Sequence, residues 1–139
     1  NKVKELMGAA EVIALNSGMA AISNTLFSIA AAGKNIVTSR HLFGNTYSFI
    51  AGTLSRFGVE PRLCDLTDIG AVEKAVDSNT CCIYVEIITN PQMEVADLQA
   101  LSRIVHERGI PLIVDTTLIP FTEFDSHSLG VDIEVVSST

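Results

Sequence analysis

One rhythm constrains this chain more than any other: a short apolar run, a break of small or polar residues, then a stretch with helical spacing. Residues 97–108 put Leu98, Leu101, Ile104 and Val105 on one stripe, and Gln99, Arg103, Glu107 and Arg108 cover the other faces. Gly109 and Pro111 close that helix, and the run Leu112-Ile113-Val114-Asp115 follows as a strand. The same rhythm predicts strands at 12–15, 35–38, 59–64, 80–86 and 133–136, and helices over 19–32, 46–57 and 68–77. Gly33 and Gly58 are the predicted stops of the first two helices. Pro61 cannot donate to a ladder, which suits an edge or irregular strand. Runs this continuously apolar are strands buried on both faces. The fold class is therefore α/β, a mostly parallel sheet with helices on both faces. At 139 residues, with no linker, repeat or low-complexity tract, the chain reads as a single unit.

Composition removes several function classes. Nine basic against sixteen acidic residues give a formal charge of −7, and the basic ones are scattered, so no stripe offers itself to nucleic acid. No apolar run of about 18 residues suggests a membrane span, and no basic segment with an apolar core suggests a secretory signal. Three cysteines, without a Cys-x-x-Cys or a Cys/His cluster, argue against zinc. They read as small buried hydrophobes of a reducing, cytoplasmic protein, with Cys81 and Cys82 on opposite faces of a strand. The chain opens on Asn1, which is read as an internal or processed start.

In open α/β sheets, ligands gather at the carboxyl ends of the strands. Three features fall there. Ser17-Gly18-Met19 joins a strand to a helix, and the free amides of a helix start can cradle a phosphate; an ordinary N-cap is the alternative. Asp115 ends an apolar strand, where it either caps a loop or faces a positive partner. Ser137 and Thr139 offer hydroxyls at the end of the last strand, to a phosphate or to nearby backbone. His41, His106 and His127 show no metal or triad spacing, and His106 falls on the polar side of its helix. None of Lys2, Lys4, Lys34 and Lys74 stands at a strand end facing these residues.

Five segments, in order, carry a family resemblance. Ser17-Gly18-Met19-Ala20-Ala21-Ile22 resembles a Ser-Gly-Met-Ala-Ala-Ile turn and helix. His41-Leu42-Phe43-Gly44-Asn45-Thr46-Tyr47 resembles a Leu-Tyr-Gly-Gly-Thr-Tyr loop, and Glu86-Ile87-Ile88-Thr89-Asn90-Pro91 resembles Glu-x-Pro-x-Asn-Pro. Val114-Asp115-Thr116-Thr117-Leu118 resembles Val-Asp-Asn-Thr-Phe, and the segment from Gly130 to Thr139 resembles Gly-Ala-Asp-Ile-Val-x-His-Ser-x-Thr-Lys. Together they resemble the cysteine/methionine-metabolism family of pyridoxal-phosphate (PLP) enzymes, which includes O-acetylhomoserine sulfhydrylase, cystathionine synthase and lyase, and methionine γ-lyase.

The resemblance implies the large domain of a PLP-dependent transferase-like (fold type I) enzyme. Residues 1–139 would be the central part of that domain. The N-terminal segment, the catalytic-lysine side and the C-terminal domain would lie outside it, and the cofactor-bearing lysine would follow Thr139. It further implies that Gly18, Met19, Ser137 and Thr139 hold the phosphate, that Phe43 stacks on the ring and that Asn90 bonds the phenolic oxygen. Asp115 would pair with the ring nitrogen as the catalytic carboxylate, and Thr117 would line the other ring face. The implied cofactor is pyridoxal 5′-phosphate, the implied partners are an amino-acid substrate and the remaining segments of the same enzyme, and the implied assembly is a homotetramer. Three positions depart from the family pattern: Phe43 stands for Tyr, Ile88 for Pro and Val136 for His. Losing the Tyr phenol keeps stacking but removes an acid/base group, which disfavours pure lyase chemistry. The expected reaction is γ-replacement on an activated homoserine. Methionine γ-lyase and cystathionine synthase or lyase use the same core and are alternatives the sequence does not separate. Further readings are a non-catalytic module of the same fold, and a phosphoryl-accepting Asp115, which lacks a neighbouring carboxylate in sequence.

Overall fold

The computed structural model describes residues 2–120 and 122–138. Lys2–Met7 forms a short helix, α1, and Gly18–Ile29 forms α2. Strand β1 (Asn35–Ser39) leads to α3 (Gly44–Tyr47), which runs on as a π-helical segment over Ser48–Leu54. Then come β2 (Glu60–Cys64), α4 (Ile69–Ala75), β3 (Thr80–Glu86), α5 (Leu98–Arg108), β4 (Leu112–Asp115) and β5 (Ile133–Val135). The five strands make one sheet in the order β2-β1-β3-β4-β5, every pairing parallel.

Side chains alternate across the sheet as a doubly covered strand requires. From β3, Ile83 and Val85 join Val72 of α4 and Leu98, Leu101, Ile104 and Val105 of α5 on one face. Cys82 and Tyr84 join Ile22 and Leu26 of α2 and Ile50 and Leu54 of the α3–π segment on the other. Asp68 and Asp97 start α4 and α5 by accepting the amides of Ala71 and Ala100, each satisfying a donor that has no intrahelical acceptor. Gly109 ends α5 at φ +66°, a left-handed conformation that glycine adopts without penalty.

The strand order fixes where a ligand can sit. From β1 the chain crosses outward to β2 through α3, on the α2 side. From β3 it crosses the other way to β4 through α5, on the opposite face. The loops leaving the carboxyl ends of β1 and β3 therefore part to opposite sides and open a crevice between them.

Several sequence expectations need correction. Residues 12–15 form no strand: Ile13 is 82% exposed, and no neighbouring strand among the described residues pairs with this run. Four apolar residues without a ladder partner have no cooperative reason to extend. Helix α2 ends at Ile29, short of 32, and Gly33 (φ +83°) serves the turn beyond it. The helix expected from 46 begins at Gly44, and β5 stops one residue short of Val136. Cys81 and Cys82 do not simply alternate. A bulge pairs Asn35 with Thr80 but Ile36 with Cys82, and both cysteines pack towards the α2 face. Pro61 does lie in an edge strand, β2. No helix of the described residues is long and apolar enough to cross a membrane.

Candidate cofactor site

A cavity of about 340 Å³ opens at the carboxyl ends of β3, β4 and β5. It is lined by Gly18, Met19, Phe43, Asn90, Asp115, Thr117 and Ser137, and also by Glu86. Seven of the eight expected site residues therefore converge from five separate segments. Thr139 lies outside the described residues.

The helix start is built to receive an anion. Ser17 caps α2, its Oγ accepting the Ala20 amide at 3.1 Å, and its carbonyl takes the Ala21 amide at 3.0 Å. The amides of Gly18 and Met19 precede these bonds and sit at the positive end of the helix dipole. Gly18 is required for steric reasons. A Cβ there would lie 2.8 Å from Ser137 Cβ and 3.1 Å from its Oγ, so the helix start and the end of β5 touch only because the side chain is missing. Alanine at 18 would gain helix propensity, up to about 1 kcal/mol. The clash opposes and outweighs that gain. Gly18→Ala should weaken binding of pyridoxal 5′-phosphate by about tenfold or more, read by equilibrium titration, with little change in far-ultraviolet circular dichroism.

Asp115 ends β4 half-buried. Its Oδ1 accepts the Thr117 amide at 2.9 Å, and the Tyr84 hydroxyl donates towards Oδ2 at 3.4 Å. Tyr84 is fully buried, and burial, with Asp115 and Glu86 nearby, pushes its phenol well above the usual range. It therefore acts as a fixed donor beneath the carboxylate. Thr117 Oγ1 accepts the Ser137 amide at 3.0 Å, tying the loop after β4 to the end of β5. Phe43 is half-exposed at the mouth, and Asn90 begins a cis peptide to Pro91.

Two residues here carried no role in the sequence reading. Tyr84 looks like one more core residue of an apolar strand. Glu86 ends β3 just as Asp115 ends β4, and the register pairs the two. It is 7% exposed, and its Oε1 accepts the Phe43 amide at 2.8 Å. Burial first, and then Asp115, push its carboxyl up to about 7 against the pull of the Phe43 and Asn90 amides. The neighbouring carboxylate expected to be missing near Asp115 is thus supplied across the sheet. Among the described residues, no group of three or more His, Cys, Asp and Glu could hold a metal ion.

A doubly wound sheet with an anion cradle, a flat aromatic wall and a carboxylate at one set of strand ends defines a class that binds a phosphorylated aromatic cofactor. All 139 residues match the model of the Cys/Met metabolism PLP-dependent enzymes, and the chain belongs to that family. It is 38% identical over 141 residues to L-methionine gamma-lyase of Fusobacterium nucleatum, covering 100% of this chain and 35% of that protein. It is 34% identical over 140 residues to O-acetyl-L-homoserine sulfhydrylase of Corynebacterium glutamicum, covering 100% of this chain and 32% of that protein. A solved structure of O-acetylhomoserine sulfhydrylase of Wolinella succinogenes superimposes with a TM-score of 0.97 at 51% identity, over 100% of this chain and 41% of that one. The chain thus spans about a third of the length of the curated relatives it matches.

The family's cofactor is pyridoxal 5′-phosphate, and the residues present fit it. The missing side chain at Gly18 lets the helix start and Ser137 close up beside the cavity, where both border it with polar groups suited to a phosphate. Phe43 offers a flat apolar wall, and Asp115 lines the same cavity.

Proposed function

We propose that the protein containing this chain is a PLP-dependent γ-replacement enzyme acting on an activated homoserine, of the O-acetylhomoserine sulfhydrylase kind. The observation that carries this reading is the convergence of the α2 start, Phe43, Asn90, Asp115 and Ser137 on one cavity. When bound, the cofactor supplies an electron sink for the pair left at the substrate's Cα.

The chain's own residues bind, orient and hold charge. Gly18 and Met19 amides with the hydroxyls of Ser137 and Thr139 would hold the phosphate, and Phe43 would stack on the ring. Asn90 would bond the ring's phenolic oxygen, and Thr117 would border the other ring face. Asp115, oriented by the Thr117 amide and the Tyr84 hydroxyl, keeps the ring nitrogen protonated. The proton-moving lysine and the groups that hold the substrate carboxylate belong to other segments of the protein, as would the subunit contacts of a tetramer.

Replacement is favoured over elimination by one observation. The ring wall is Phe43, whose side chain can stack but carries no phenol for proton transfer. The test is an assay of the full-length protein with O-acetylhomoserine and sulfide, beside methionine alone. The expected result is homocysteine with release of acetate, and little 2-oxobutanoate from methionine. Dominant 2-oxobutanoate formation would favour the γ-lyase reading instead.

A further inference from the structure

Glu86 is an unusual residue for a core strand end. It is 7% exposed, and among the described residues no lysine or arginine forms a salt bridge with it. The charged group that acts on it is Asp115, its register partner on β4. A fold built for stability alone gains nothing from two carboxyl groups side by side under partial burial. What Glu86 does hold is backbone. Its Oε1 accepts the Phe43 amide at 2.8 Å, which ties the loop after β1 to the end of β3, where the Asn90 loop begins. The Asn90 amide adds a lesser pull on the same carboxylate. Those two amides belong to the loops after β1 and β3, which leave the sheet towards opposite faces. A second link joins the same two loops further out, where His41 Nδ1 meets Glu94 Oε2 at 2.9 Å. Glu94 is itself fixed, its amide donating to Thr89 Oγ1 at 3.0 Å.

We propose that Glu86 is a positioning residue, its buried carboxylate clamping the Phe43 loop and the Asn90 loop together so that both side chains meet one flat ring. The role towards that ring rests on the function proposed above; the clamping of the loops does not. Glu86 touches no reacting atom in this account. It acts through the two residues whose backbone it holds.

The test uses the full-length protein, first without added cofactor. Hydrogen exchange is followed in peptides spanning residues 40–46 and 87–95, with residues 98–108 as the control. Glu86→Ala should speed exchange in the two loop peptides by about tenfold or more and leave the α5 control within about twofold. Glu86→Gln keeps one carbonyl oxygen, the one the Phe43 amide needs, so residues 40–46 should return to near wild-type protection. Should the alanine variant fail to fold, Glu86→Asp retains the charge but withdraws the acceptor by one methylene, and faster loop exchange is expected there too.

The second readout is the visible circular dichroism induced on added pyridoxal 5′-phosphate, which reports how the ring is held. It should fall in the alanine variant and recover in the glutamine variant. Unchanged loop exchange on removing the acceptor, a uniform rise that includes α5, or glutamine behaving like alanine would each overturn the proposal. If wild-type protein binds no pyridoxal phosphate, the cofactor reading fails, while the exchange experiment still decides whether Glu86 clamps the loops.

Discussion

Replacing Asp115 by asparagine should leave the fold intact and lower turnover of the full-length enzyme by about a thousandfold, about 4 kcal/mol on the barrier. The two side chains are nearly isosteric. An asparagine oxygen can still accept the Thr117 amide that Asp115 Oδ1 accepts at 2.9 Å. On the proposed function, what would be lost is the negative charge facing the ring nitrogen, which an amide cannot hold in its protonated form. Electron withdrawal through the ring then weakens just where negative charge develops. The Tyr84 hydroxyl sharpens the contrast, because a buried phenol donates to a carboxylate at Oδ2 but would face an amide NH2 in one of the two asparagine orientations. Steady-state kinetics with thermal melting measure the two parts separately. A turnover within about tenfold of wild type would remove Asp115 from the catalytic role.

Gly130→Ala should be the most damaging single methyl group for stability, at about 3 kcal/mol in urea denaturation of the full-length protein. Two costs add. Gly130 sits at φ +83°, where any side chain is strained, and a Cβ there would lie 2.0 Å from Ser102 Oγ and 2.8 Å from Ser102 Cβ. Ser102 cannot simply swing away, since it is buried in α5 and its hydroxyl is paired with His106 Nδ1 at 3.2 Å. His106 Nε2 in turn meets Asp132 Oδ2 at 2.9 Å, and that oxygen accepts the Leu112 amide at 2.8 Å. The glycine thus lets the segment before β5 lie flat on α5 while Asp132 fixes the start of β4. Pushing it outward would move β5, whose far end carries Ser137. A change below about 0.5 kcal/mol would mean that this packing is looser than the distances imply.

The sheet was largely legible in the sequence because each buried strand must be apolar on both sides. Ile83 and Val85 face α5 while Cys82 and Tyr84 face α2, which leaves 80–86 no way to alternate polar with apolar. Residues 12–15 have the same look without a partner strand, and apolarity cannot report a missing neighbour. The bulge at Cys81 was hidden for a related reason, since register between strands far apart in sequence leaves no local mark. Asp115 and Gly18 could be named from the chain because one closes a strand and the other opens a helix, and Ser137 because it follows the last apolar strand. Glu86 and Tyr84 could not be given roles in that way. Their meaning arises from a cross-strand pairing with Asp115 and from a loop amide 43 residues away in sequence.

The central claim is that the strand-end cavity holds pyridoxal 5′-phosphate with Asp115 at its ring nitrogen. Nitrogen-15 magnetic resonance of ring-labelled cofactor, added to wild-type and Asp115→Asn protein, tests it most directly. A protonated-pyridine shift in the wild type that moves to the neutral-pyridine range in the variant is the expected result. A neutral nitrogen in the wild type, or the same shift in both proteins, would contradict it.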